Sequence, residues 1–253
     1  MSPLKIIFLF TLLVFSSDCS EKSNFLSFLT RFDQNQIGNE YLIFFIEMMR
    51  KRNNHRFANN FAKNKAAFKN HAVAIKRNNG FIEDQQNYKD MSYGTKPLSE
   101  NGCGVIAIYN VLYHLTQKED IDFPSIIQDL EYDGIVLGGI FGTSMKAIDD
   151  YFRKKGFNTK SSSQVRDYDR IGRETDASVL TIFNNANNIF QGIHFIAITK
   201  KNGNYYIHNN GAYSSDVAYY SITDVLTRIN SGRAKNIYLT GVYKKAKYAS
   251  FWN

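Results

Sequence analysis

The sequence predicts an α+β fold, with a helical first half packed on a C-terminal antiparallel sheet. Three observations carry this. Apolar residues recur at helical spacing through the first half of the chain. From Ser178 onward the apolar runs become short, β-branched and aromatic: SVLTIF (178–183), IHFIAIT (193–199) and NIYLTGVY (236–243). Asn202-Gly203, between two such runs, is the strongest hairpin signal in the chain. Helices followed by strands on tight turns imply α+β layering rather than alternating βαβ units.

With 253 residues the chain can bury a full core in one or two domains, and its 15% aromatic content argues against disorder. Its two cysteines, Cys19 and Cys103, give no disulfide framework, and no Cys/His spacing suggests zinc. No metal or organic cofactor is expected. The net charge of +8 is local. Nine of the 31 basic residues (Arg50, Lys51, Arg52, Arg56, Lys63, Lys65, Lys69, Lys76 and Arg77) lie between Met48 and Ile82, where no acidic residue occurs; the other 22 face 23 acidic ones.

The elements follow in order. Lys5 and the apolar run Ile6–Phe15 lead to Ser16-Ser17-Asp18-Cys19, which reads as a signal peptide over residues 1–19 and implies a secreted or cell-surface protein. Residues 20–90 read as a helical basic arm or pro-region. Glu40–Met49 is an apolar helix, and Phe57, Phe61, Phe68 and Ile75 recur at near-helical spacing among lysines. This segment could lie on an anionic membrane surface through residues 50–77, or present a solvated basic face. Its phenylalanines fall at core-like spacing, so no nucleic-acid partner is expected. The main domain spans 91–253. A helix starts at Cys103; Asp122-Phe123-Pro124 opens another that ends near Gly134. Gly138, Gly139 and Gly142 form a loop around Ile140 and Phe141. Thr143 or Ser144 caps a helix through Lys155, and Ser221 with Asp224 caps one more, with Gly232 beyond its end.

Chemistry concentrates at Gly102-Cys103-Gly104. A thiol in the first turn of a helix meets unpaired N–H groups and the positive end of the helix dipole, which favour a thiolate. The glycines leave room for a carbonyl to approach. A small buried core cysteine in a tight turn fits the same residues. A nucleophilic thiol needs a base and a group to orient it. His55 and His71 lie in the basic arm, and His114 lies about 16 Å along the helix that begins at Cys103. That leaves His194 and His208. If Asn202-Gly203 forms a two-residue turn, Lys201 faces Asn204 and Asn209 faces Ile196. His194 and Asn209 then become diagonal neighbours on one sheet face, while His208 points to the other. A core histidine between Ile193 and Phe195 is the plainer alternative.

Cysteine at a helix start, histidine opening a strand, and asparagine closing the next strand is the order of the papain-like cysteine peptidases. The chain resembles most the bacteriocin-processing, double-glycine leader peptidase group, through Cys103-Gly104, His194-Phe195 and Asn209, over roughly Tyr93 to Tyr243. The resemblance implies a papain-like fold and hydrolysis of peptide bonds through an acyl-enzyme on Cys103, with His194 as base and Asn209 fixing its tautomer. The same scaffold also serves acyltransferases and non-catalytic binding modules. The family's glutamine, six residues before the cysteine, is Pro97 here. Asn101 is the first candidate for the second oxyanion donor, and Ser99, Gln85 and Gln86 are others.

Overall fold

The computed structural model of the chain describes residues 39–50, 57–139, 142–184, 193–211, 216–229 and 235–244. The expected signal peptide, residues 20–38 and 51–56 of the expected arm, Ile140, Phe141 and Gly232 lie outside them.

The first part is helical: α1 (Asn39–Arg50), α2 (Ala58–Phe68), α3 (Ala72–Arg77), α4 (Leu98–Asn101), α5 (Cys103–Thr116), α6 (Phe123–Asp133) and α7 (Met145–Lys154). A small ribbon, β1 (Ser92–Tyr93) with β2 (Lys96–Pro97), precedes α4. Then come β3 (Asn158–Ser162), α8 (Tyr168–Glu174), β4 (Ala177–Phe183), β5 (Ile193–Lys201), β6 (Asn204–His208), α9 (Ile222–Ile229) and β7 (Lys235–Tyr243). The five longer strands form one antiparallel sheet in the order β3-β7-β4-β5-β6.

Both faces of the sheet are covered. On one side, Val105, Ile108 and Val111 of α5 join Val179, Phe195, Ala197 and Ile237 in the larger core. On the other, Ile171 of α8 and Val225, Leu226 and Ile229 of α9 join Leu180, Ile182, Ile196, Ile198 and Leu239. Central β4 is therefore buried at every position, and its sequence shows an apolar run rather than alternation. Each aliphatic side chain buried this way contributes about 1.5–3 kcal/mol.

Local signals placed most boundaries. Asp122 accepts the Ser125 N–H at the start of α6, Ser144 accepts those of Lys146 and Ala147 at the start of α7, and Ser221 accepts that of Asp224 ahead of α9. Asn202 and Gly203 both have positive φ, 52° and 81°, as a type I′ turn requires. The register runs from Lys201↔Asn204 to Ala197↔His208, as the turn predicts. Two elements carry no such signal. β3, NTKSS, is an edge strand half-buried throughout, so nothing demands apolar alternation. α8 is a short helix of seven residues.

The basic helices share the main core. Asn64 is fully buried; its Nδ2 donates to the Ser92 carbonyl and its Oδ1 accepts the Ser92 N–H, both at 2.8 Å. Phe68 and Ile75 pack on the same cluster as Ile82, Tyr88 and Met91, so packing is continuous across residue 90. Lys63, Lys65, Lys69, Lys76 and Arg77 remain exposed.

Candidate active site

Cys103 is the first residue of α5, set off from α4 by Gly102. The two neighbouring glycines are needed for packing, not for access. A Cβ on Gly104 would lie 2.6 Å from Thr143 Oγ1, and one on Gly102 would lie 2.5 Å from Leu98. The helix start is thus pressed against its own fold, and Cys103 is only 6% exposed.

The thiol faces the beginning of β5. Sγ donates to the Ile193 carbonyl at 3.7 Å, and the main-chain N–H of Phe195 lies on the side that favours a charged sulfur. These two groups flank His194 in the chain. They point toward the β6 side of β5, because a two-residue hairpin makes Lys201, Thr199 and Ala197 hydrogen-bonded to β6, and Phe195 and Ile193 continue that series. Pairing with β6 ends at Ala197↔His208, and the sulfur occupies the edge that β6 leaves open. Burial pushes the thiol up to about 11, although the N–H groups of Phe195, Gly104 and Cys103 pull the other way. Desolvation outweighs the helix start, so the resting thiol is neutral.

His194 meets Asn209, but not in the expected manner. Its Nε2 lies 3.2 Å from the Asn209 main-chain carbonyl. A carbonyl only accepts, so in the neutral ring Nε2 carries the proton and Nδ1 is the bare, basic nitrogen. Burial lowers the imidazole pKa, and the bond to Asn209 opposes that. Asn209 lies one residue beyond β6 in the left-handed conformation, φ 57°. Leaving the strand turns its side chain away from the histidine. Oδ1 accepts the Gln85 N–H at 2.9 Å, and Nδ2 lies 3.4 Å from Gln85 Oε1. The register reading brought these two residues together, but they meet through the Asn209 main chain rather than its side chain.

His208 points to the other face, as expected. Its Nδ1 bonds Glu83 Oε1 at 2.7 Å, its Nε2 bonds Thr199 Oγ1 at 2.9 Å, and its ring stacks on Phe81 with centroids 4.0 Å apart. It is buried and fully partnered, a structural histidine.

Asn101, the first candidate for the oxyanion donor, has its amide engaged elsewhere. Its Nδ2 donates to the carbonyls of Tyr93 and Gly139, each at 3.0 Å, so both amide hydrogens already tie β1 to the turn before α7. Gln85 and Gln86 instead converge here: both donate to the Ser99 carbonyl, at 2.8 and 3.1 Å, on the short helix that delivers Cys103. Glu83, whose Oε2 accepts the Asn209 N–H at 3.1 Å, carries no local sequence signal. Only the fold brings it to the site. Among the described residues, no cluster of His, Cys, Asp or Glu could hold a metal, and no helix is long and apolar enough to cross a membrane.

Compared with known proteins, the chain matches no family model and no curated protein.

Proposed function

We propose that this protein is a papain-like cysteine peptidase, with Cys103 as nucleophile, His194 as general base and Asn209 orienting the imidazole through its main-chain carbonyl. One observation carries the reading: Sγ donates to the carbonyl of Ile193, the residue before His194, and the His194 Nε2 is held by Asn209, which leaves Nδ1 as the basic nitrogen. Nδ1 removes the Sγ proton as sulfur attacks the peptide carbonyl carbon. The C–N bond then breaks, and the departing amine takes the proton from the imidazolium. Water, deprotonated by Nδ1, attacks the thioester, releasing the acid and restoring the thiol. Main-chain N–H groups at the start of α5, those of Cys103 and Gly104, would donate to the oxyanion. The substrate is a peptide or protein met outside the cell, where the N-terminal apolar run would send the chain.

A second reading has its own support. A neutral thiol that fills an open strand edge is also what a non-catalytic binding module on the same scaffold would contain. Incubating a peptide library with wild type and Cys103→Ser decides between them. Cleavage by wild type alone establishes the peptidase; equal product from both leaves the binding module.

A further inference from the structure

We infer that Glu83 is a positioning residue for His194, acting through Asn209; this rests on reading Cys103 and His194 as the reacting pair. Asn209 holds a left-handed backbone conformation, φ 57°, that is strained for most L-residues and that asparagine bears better than most. Something must keep it there, since relaxing toward extended backbone would swing its carbonyl away from His194. The segment Glu83–Gln85 does so by taking three polar groups of Asn209. Glu83 Oε2 accepts its N–H at 3.1 Å, the Gln85 N–H donates to its Oδ1 at 2.9 Å, and Gln85 Oε1 faces its Nδ2 at 3.4 Å. The fourth group, the carbonyl, is left for His194 at 3.2 Å.

Glu83 is itself fixed. Its Oε1 lies 2.7 Å from His208 Nδ1, while His208 Nε2 is tied to Thr199 on β5. One carboxylate therefore grips adjacent residues, the side chain of His208 and the main chain of Asn209, just where β6 ends. Glu83 touches neither thiol nor reacting imidazole. It acts by deciding where the Asn209 carbonyl points, and so which ring nitrogen of His194 stays bare.

The test compares Glu83→Ala with Glu83→Gln in the full chain. Glutamine can reproduce the clamp: its oxygen accepts the Asn209 N–H and its amide donates to His208 Nδ1, which then carries its proton on Nε2, facing Thr199. The direct readout is the pair of His194 ring 15N shifts, which report the tautomer independently of turnover. Wild type and Glu83→Gln are expected to show one Nε2–H tautomer, and Glu83→Ala a mixture. In peptide cleavage, Glu83→Ala should lower kcat about 100-fold with KM within about threefold, while Glu83→Gln restores it. A folded Glu83→Ala with wild-type His194 shifts overturns the proposal. Should that variant fail to fold, Glu83→Asp, whose shorter side chain cannot span both the His208 ring and the Asn209 N–H, is read on the same shifts, and a pure wild-type tautomer there overturns it equally. If the shifts move while wild type cleaves no peptide, the positioning role stands and the peptidase reading falls.

Discussion

His194 donates through Nε2 to the main-chain carbonyl of Asn209, 3.2 Å away, while the Asn209 side-chain amide is engaged by Gln85. The group that meets the imidazole is thus a backbone atom whose direction depends on a left-handed φ of 57°.

Glycine should therefore replace Asn209 better than alanine does. Glycine adopts the left-handed conformation without strain, whereas alanine pays about 1–2 kcal/mol for it. Both variants lose the Gln85 bonds, so the comparison isolates the carbonyl. Asn209→Gly is expected to keep a several-fold higher kcat/KM than Asn209→Ala. Equal losses would assign the orienting role to the side-chain amide.

Under the proposed mechanism, replacing His194 should sharply lower turnover while leaving the fold in place. His194→Gln keeps a polar group of similar size and lacks the basic Nδ1. Its kcat should fall by about 100- to 10,000-fold, the usual contribution of a positioned acid–base group. Circular dichroism should be unchanged.

The thiol makes a pH-dependent contribution to stability. Its folded value of about 11 lies above its ordinary value of 9.0, so the protein stabilises the protonated form. That contribution is complete below pH 9 and is lost as pH rises toward 11, because the unfolded chain ionises first. Urea unfolding from pH 8 to 11 should show wild type losing about 2–3 kcal/mol more than Cys103→Ser. Iodoacetamide labelling of the free protein should rise about tenfold per pH unit from 7 to 10. A labelling plateau below pH 8 would instead reveal a thiolate.

Asn101 should matter to stability rather than to chemistry. Asn101→Ala removes the buried amide that donates to the Tyr93 carbonyl and leaves the Gly139 carbonyl with the Gly142 N–H. The expected cost is about 1–3 kcal/mol in urea unfolding, with kcat per folded molecule unchanged. A selective fall in kcat at full stability would restore Asn101 as an oxyanion donor.

Gly104→Ala should also act on the fold. The added methyl meets Thr143 at 2.6 Å. Overpacking of that kind costs about 1–3 kcal/mol, read as a lower Tm. Wild-type stability in this variant would contradict the close approach of α5 to Thr143.

How much of this was legible in the sequence depends on how local the signals are. The class, the helix start at Cys103, the caps at Asp122, Ser144 and Ser221 and the full register of β5 on β6 follow from short-range signals, because a cap or a two-residue turn is decided by neighbours in the chain. The same register put His194 beside Asn209 and turned His208 to the opposite face. Only the tertiary structure decided that Asn209 leaves the strand and presents its carbonyl, since the groups holding it, Glu83 and Gln85, are more than 120 residues away in sequence. It likewise decided the thiol's state. A helix start favours a thiolate, but burial against β5 removes the water that would solvate the charge, and desolvation at Cys103 is the larger effect. Sequence set which side chains could meet; long-range packing set which of their atoms do.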